Sequence, residues 1–226
     1  YPQERFPYDD LVAENARRST SDPEYEIEHT GVFSEGRYFD VFVEYAKSTP
    51  EDLLIKISVH NRGPDPASLH LLPTLWLRNT WNSGSSHERD WPKPRLFRSE
   101  KSVCVEHFSL GHFFMYAEDD QHRQPQWLFT DNETRHPGDD TPRYGKDAFH
   151  RYLIDGDSKA INPREEGSKA AALFQCEVPA GDARIFRLRL VRSEERPHSP
   201  FDTSFDELLK GCLLYTSDAA DEKRCG

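Results

Sequence analysis

The run Leu75-Trp76-Leu77-Arg78-Asn79-Thr80-Trp81 is the stretch best suited to chemistry. Two indoles flank an Arg-Asn pair where an alternating segment passes into a long polar loop, residues 79–94, which also holds Trp91. Indole faces stack on sugar rings, Arg and Asn offer hydrogen bonds to hydroxyls, and binding groups gather on loops held by a rigid sheet. Trp76, Arg78, Asn79 and Trp81 are therefore the candidates for contact with a ligand or a neighbouring domain. The plainer reading puts Trp76 in the core and lets Trp81 pack the loop against such a domain.

Other candidates are weaker. Asp9-Asp10, Asp119-Asp120 and Asp139-Asp140 are adjacent acids, whereas glycosidases need two carboxyls facing one another across a bond. His107 and His112 flank a turn and could approach each other, but a third ligand is lacking nearby. Asn132-Glu133-Thr134 fits a glycosylation triplet, which matters only in a secreted protein. The chain has no nucleophile elbow, phosphate loop, zinc-binding helix motif or dinucleotide fingerprint. No catalytic residue and no metal ligand is assigned.

The elements that must position these groups are mostly strands. Period-two alternation marks Tyr25–Ile27, Arg37–Ala46, Leu53–Asn61 and Ser68–Leu77, the last with Pro73 at an edge or bulge. Phe39, Val41, Val43 and Tyr45 should share an inward face, as should Leu53, Ile55, Ile57 and Val59. Tyr25–Ile27 and Arg37–Ala46 read as an antiparallel ribbon. Val103–Phe108 and His112–Glu118 make a hairpin around Ser109-Leu110-Gly111, and Gln126–Thr130 is a short strand. Ala170–Val178 and Arg184–Arg192 read as a second hairpin across Pro179-Ala180-Gly181-Asp182. Helices are expected at Tyr8–Arg18, at Lys146–Ile154 and from a Ser204/Glu207 capping box through Leu208 and Leu209. The fold class is mainly β: an antiparallel two-sheet β-sandwich with a few short helices.

A net charge of -11 excludes non-specific binding to nucleic acid or an anionic membrane, and no apolar run has the length of a span. The sequence CLLYTSDAADE, Cys212 to Glu222, is the translation of a transposase adapter used for sequencing libraries. Residues 1–211 are thus expected to be part of a β-sandwich domain, and residues 212–226 a foreign tail. Cys104 and Cys176 then remain, far apart in apolar stretches, as free thiols. That suits a cytoplasmic setting.

Longer matches carry a resemblance. Tyr1-Pro2-Gln3, Phe6-Pro7-Tyr8, Thr30-Gly31-Val32-Phe33, the run from Arg37 to Lys47, the run from His70 to Trp76 and Asn79-Thr80-Trp81 occur in order. Ala160-Ile161-Asn162-Pro163 and Gly167-Ser168-Lys169-Ala170-Ala171 follow. Together they resemble the large bacterial proteins related to glycoside hydrolase family 63, often labelled glucosidase or mannosyl-oligosaccharide glucosidase. The loop Ser83–Pro92 departs from that pattern. The resemblance implies an N-terminal β-sandwich followed by an (α/α)6 barrel. The barrel would carry a general acid and a general base, hydrolyse α-glycosidic bonds with inversion and need no organic cofactor. This segment would be non-catalytic. Its partners would be the barrel of the same chain and, through it, an oligosaccharide. The alternatives are an independent carbohydrate-binding module and a sandwich used only for protein contacts.

Overall fold

A computed structural model describes residues 1–81, 92–134 and 144–222, with side chains through Cys212. In chain order, helix α1 is Tyr8–Asn15, and strands β1 Phe39–Thr49, β2 Asp52–Asn61, β3 Ala67–Leu71 and β4 Thr74–Trp76 follow. Next come β5 Arg95–Ser99, β6 Ser102–His107, β7 Gly111–Asp119 and β8 Gln126–Thr130. Helix α2 Ala148–Leu153, β9 Glu166–Gly167, β10 Lys169–Val178, β11 Ala183–Arg192 and helix α3 Thr203–Glu222 complete the series. The protein is mainly β. A seven-stranded sheet runs β1-β2-β11-β7-β6-β5-β9, and in a four-stranded sheet β10 pairs with β3, β4 and β8.

The chain divides into two compact units, 1–43 with 57–70 and 175–185, and 44–56 with 71–174 and 186–226. In the first, Asn61 is the polar hub. Its amide donates to the carbonyls of Asp65 and Val178 at 2.8 and 2.9 Å and accepts the Gly63 N–H at 2.8 Å. With Gln3 Nε2 donating to the same amide oxygen, every donor and acceptor site of this buried side chain is met, as burial demands. Phe39, Val59 and Val178 are buried in the same unit.

In the second unit the sheets meet through Phe174 and Phe186, whose ring centroids lie 4.9 Å apart. The outer side of the seven-stranded sheet is covered too, because Phe205 and Leu209 of α3 pack on Ala46 and Leu54. Helix α2 covers the other sheet by setting Phe149 against Leu128, Ala171 and Leu173, joined by Tyr152 and Leu153 as the helical spacing implies.

Several expectations need correction. Tyr25–Ile27 is not a strand. Asn15 donates to the Tyr25 carbonyl and accepts its N–H, and a reciprocal Glu26/His29 cap opens a 3-10 turn at Ile27–Thr30. Such local side-chain bonds outcompete two residues of alternation. Ala170–Val178 and Arg184–Arg192 form no hairpin, since β10 and β11 belong to different sheets. The inward face expected of β1 holds at Phe39, but Val43 and Tyr45 are exposed while Ala46 is buried. In β2, Ile57 and Val59 are buried as expected, yet so is Leu54. With α3 covering Ala46 and Leu54, alternation no longer marks one buried side there. Pro73 interrupts the expected strand Ser68–Leu77 into β3 and β4. The start of α3 is capped by Asp202, whose carboxylate accepts the Ser204 N–H at 3.0 Å, rather than by Ser204. These bonds, the Ser204 hydroxyl first, hold the Asp202 carboxyl below its ordinary range.

Candidate functional site

The run from Trp76 to Trp81 leaves the sheet at the end of β4. Trp76 pairs with Lys169 of β10, and Leu77 prolongs the ladder by donating its N–H to the Ser168 carbonyl at 3.1 Å. Leu77 is buried, and Trp76 beside it is 57% exposed. The core reading of Trp76 is therefore wrong. At the end of this three-residue strand the inward position falls to the next residue, Leu77, and successive side chains point to opposite faces. Arg78 is exposed as well.

Asn79 and Trp81 are bound into the scaffold. Asn79 donates to the Asn132 carbonyl at 2.9 Å, and Asn132 donates in return to the Leu77 carbonyl at 2.8 Å. The Trp81 Nε1–H donates to Glu133 Oε1 at 2.7 Å. Lys93 Nζ binds the same oxygen at 2.7 Å and Asp131 Oδ1 at 2.9 Å, and it sits 5.4 Å from the Trp81 ring centroid. Burial alone would lower the Lys93 pKa, but the Glu133 and Asp131 carboxylates raise it above the ordinary lysine range. Ser168 Oγ accepts the Asn132 N–H at 2.9 Å and donates to Asp131 at 3.2 Å. This pair of acids with one shared cation clamps the chain and offers no free carboxylate for proton transfer.

The four sequence candidates thus separate. Trp76 and Arg78 face outward, whereas Asn79 and Trp81 hold the corner. Sequence reasoning missed Lys93, Asp131, Asn132, Glu133, Ser168 and Lys169. The 132–134 triplet pointed to glycosylation, and Ser168 and Lys169 stood in the run Gly167-Ser168-Lys169-Ala170-Ala171 without a role of their own. Trp91, Asp139-Asp140 and most of Ser83–Pro92 lie outside the described residues.

Several other titratable groups are also engaged. Asp119, buried, accepts the N–H groups of Gln121 and Arg123, both at 2.9 Å, and the Arg123 guanidinium at 2.8 Å. His107 and His112 stand on opposite faces of their hairpin, because His107 opposes Gly111 while His112 opposes Glu106. His107 Nδ1 instead accepts the Ser109 and Leu110 N–H groups at 3.2 and 3.3 Å, and burial holds its pKa below the usual histidine value. A polar cleft of about 440 Å³ is lined by Tyr116, Glu118, His122, Gln124 and Arg196 among others. Its buried Glu118 is held by Arg187 at 2.8 Å and His122 at 3.1 Å, and its Arg196 lies 3.8 Å over the Phe114 ring. Among the described residues no three His, Cys, Asp or Glu side chains gather as a metal site. Cys104 is a buried free thiol whose pKa is pushed up by burial, and Cys176 is half-buried. No helix of the described residues is long and apolar enough to cross a membrane.

Comparison with known proteins adds an uncharacterized relative. The uncharacterized protein YMR196W of Saccharomyces cerevisiae is 31% identical over 218 residues, a match taking in 80% of this chain and 20% of the yeast protein. The chain therefore spans about a fifth of that relative's length. No protein-family model matches. Among solved structures, a family IIIA CBD from Clostridium cellulolyticum is similar at 11% identity and a TM-score of 0.20, covering 68% of this chain and 73% of that one.

Proposed function

We propose that this chain is the non-catalytic β-sandwich portion of a glycoside hydrolase of the family 63 type, supporting an (α/α)6 barrel that cleaves α-glucosidic bonds with inversion. The observation that carries the reading is the use made of the buried and half-buried acids. Asp52 is held by Arg189, Glu118 by Arg187, Asp119 by Arg123, and Asp131 with Glu133 by Lys93. Carboxylates committed to cations and backbone N–H groups anchor a scaffold, whereas a general acid and base need one group kept protonated and another free to activate water. The ordered sequence matches to the family support the same reading, as does the small share of the yeast relative that the chain represents.

The test is a longer gene product carrying this segment, incubated with an α-glucoside and followed by proton NMR. Release of β-glucose as the first anomer supports the proposal. Release of α-glucose, or no hydrolysis, would sink it. A second reading, carbohydrate binding by the sandwich itself, is favoured by one observation: Trp76 presents its indole outward on a sheet face rather than into the core.

A further inference from the structure

The surroundings of Trp76 are cationic. In the β4–β10 ladder Trp76 lies directly opposite Lys169. Directly opposed residues of an antiparallel pair share a face, with Cβ atoms about 5 Å apart. Leu77 and Ala170, the next residues along each strand, are both buried, so Trp76 and Lys169 share the other face. Arg78, two residues beyond Trp76, is exposed and has no ion pair among the described residues.

Lys169 is half-buried. Its Nζ lies 4.8 Å from the Phe149 ring centroid and donates to the Lys146 carbonyl at 3.2 Å. An ammonium has three donors, so this bond leaves others available. Burial, and after it the charge of Lys146, holds the Lys169 pKa below the ordinary lysine range. An amine in that position gains from an arriving anion. Asp147 acts the other way, raising the Lys169 pKa, but less than burial and Lys146 lower it, and it is itself paired with Arg151 at 3.0 Å.

We propose that the outer face of the four-stranded sheet around Trp76, with Lys169 and Arg78, binds an acidic saccharide, a sugar ring that carries a carboxylate. The inference rests on the carbohydrate-binding reading and adds the ligand's charge. The indole supplies a flat apolar surface for the C–H face of a pyranose, which a bare anion would leave unused. The cations supply charge-assisted bonds to the carboxylate. The net charge of -11 works against long polyanions, which would feel the whole protein, and leaves short acidic oligosaccharides as the fitting ligands.

The experiment is isothermal titration calorimetry on the protein with trigalacturonate, maltotriose and inorganic phosphate at low and high ionic strength. Trigalacturonate should bind at least about tenfold more tightly than maltotriose and weaken as salt rises. Trp76→Ala and Lys169→Met should each weaken it by about tenfold. The Lys169 variant keeps the length of the stem, so one substitution remains informative if the other unfolds the protein. Equal affinity for maltotriose and trigalacturonate, or preference for maltotriose, overturns the acidic class and leaves carbohydrate binding standing. Phosphate binding as tightly as trigalacturonate, with Trp76→Ala without effect, makes the face a plain anion patch and overturns the proposal. Absence of binding by either saccharide removes this inference and the carbohydrate reading together.

Discussion

Arg189 grips Asp52 through two parallel bonds, Nε to Oδ1 at 2.9 Å and Nη2 to Oδ2 at 2.7 Å, with both side chains buried. A third donor, Nη1, reaches the Pro200 carbonyl at 3.2 Å, so the pair also ties down the segment leading into α3. Removing one partner strands the other charge in a dry site. Asp52→Ala is expected to cost about 3–5 kcal/mol in urea unfolding. Replacing both residues with apolar ones of similar volume, Asp52→Leu with Arg189→Met, should cost less than Asp52→Ala alone. Additive losses would show that the ion pair carries no coupling.

Asp119 closes the turn after β7 by accepting two backbone N–H groups and the Arg123 guanidinium. Burial by itself would raise its pKa. The bonds from Arg123 and Gln121 overcome that and hold it below the ordinary carboxylate value. The folded state therefore prefers the ionised form. Its contribution to stability is complete above the unfolded pKa of about 3.9 and is lost as pH falls through the folded value. Asp119→Asn is expected to cost about 1–3 kcal/mol at pH 7. That cost should shrink in melts taken at successively lower pH below about 4. A cost independent of pH would mean that the carboxylate charge plays no part.

The fold was readable where pattern and hydrogen bonding are both local. The β6–β7 hairpin pairs Val103 with Met115 and His107 with Gly111 across the expected turn, and β8 falls on the expected residues. β10 and β11 misled because their partners lie far away in the chain. Ala172 pairs with Trp127 and Phe186 with Asp119, so a short turn that suits a hairpin instead passes the chain from one sheet to the other. β5 gave no signal of its own after the proline-rich stretch. The corner that holds Trp81 draws Lys93, Glu133 and Ser168 from three separate segments, and spacing cannot bring those together.

Gly167 and Gly211 predict opposite responses to a methyl group. A Cβ at Gly167 would clash with the Thr130 carbonyl oxygen, a backbone atom that cannot swing aside. Gly167→Ala should therefore separate the start of β10 from β8 and cost about 1–3 kcal/mol or more. A Cβ at Gly211 meets nothing within 4 Å, and the position lies inside α3. There, alanine should stabilise by up to about 1 kcal/mol through helix propensity. Thermal melts of the two variants check the contrast. A neutral Gly167→Ala would refute the close approach.

The two indoles of the candidate site should differ in what they hold. Trp81→Phe keeps most of the ring but deletes the Nε1 donor to Glu133, a carboxylate that is itself nearly buried. A bond to a charged acceptor contributes about 1.5–3 kcal/mol, and Lys93 remains to satisfy part of the acid, so a loss near the lower figure is expected in urea unfolding. Trp76→Ala removes an exposed indole from a sheet edge and should change stability by no more than about 0.5 kcal/mol. If stability followed the opposite order, Trp76 would be the structural residue and its outward face would need another explanation. If it follows the order given, the corner divides its labour between adjacent positions. Trp81 and Asn79 fix the backbone, and Trp76 with Arg78 is left to meet whatever approaches the face.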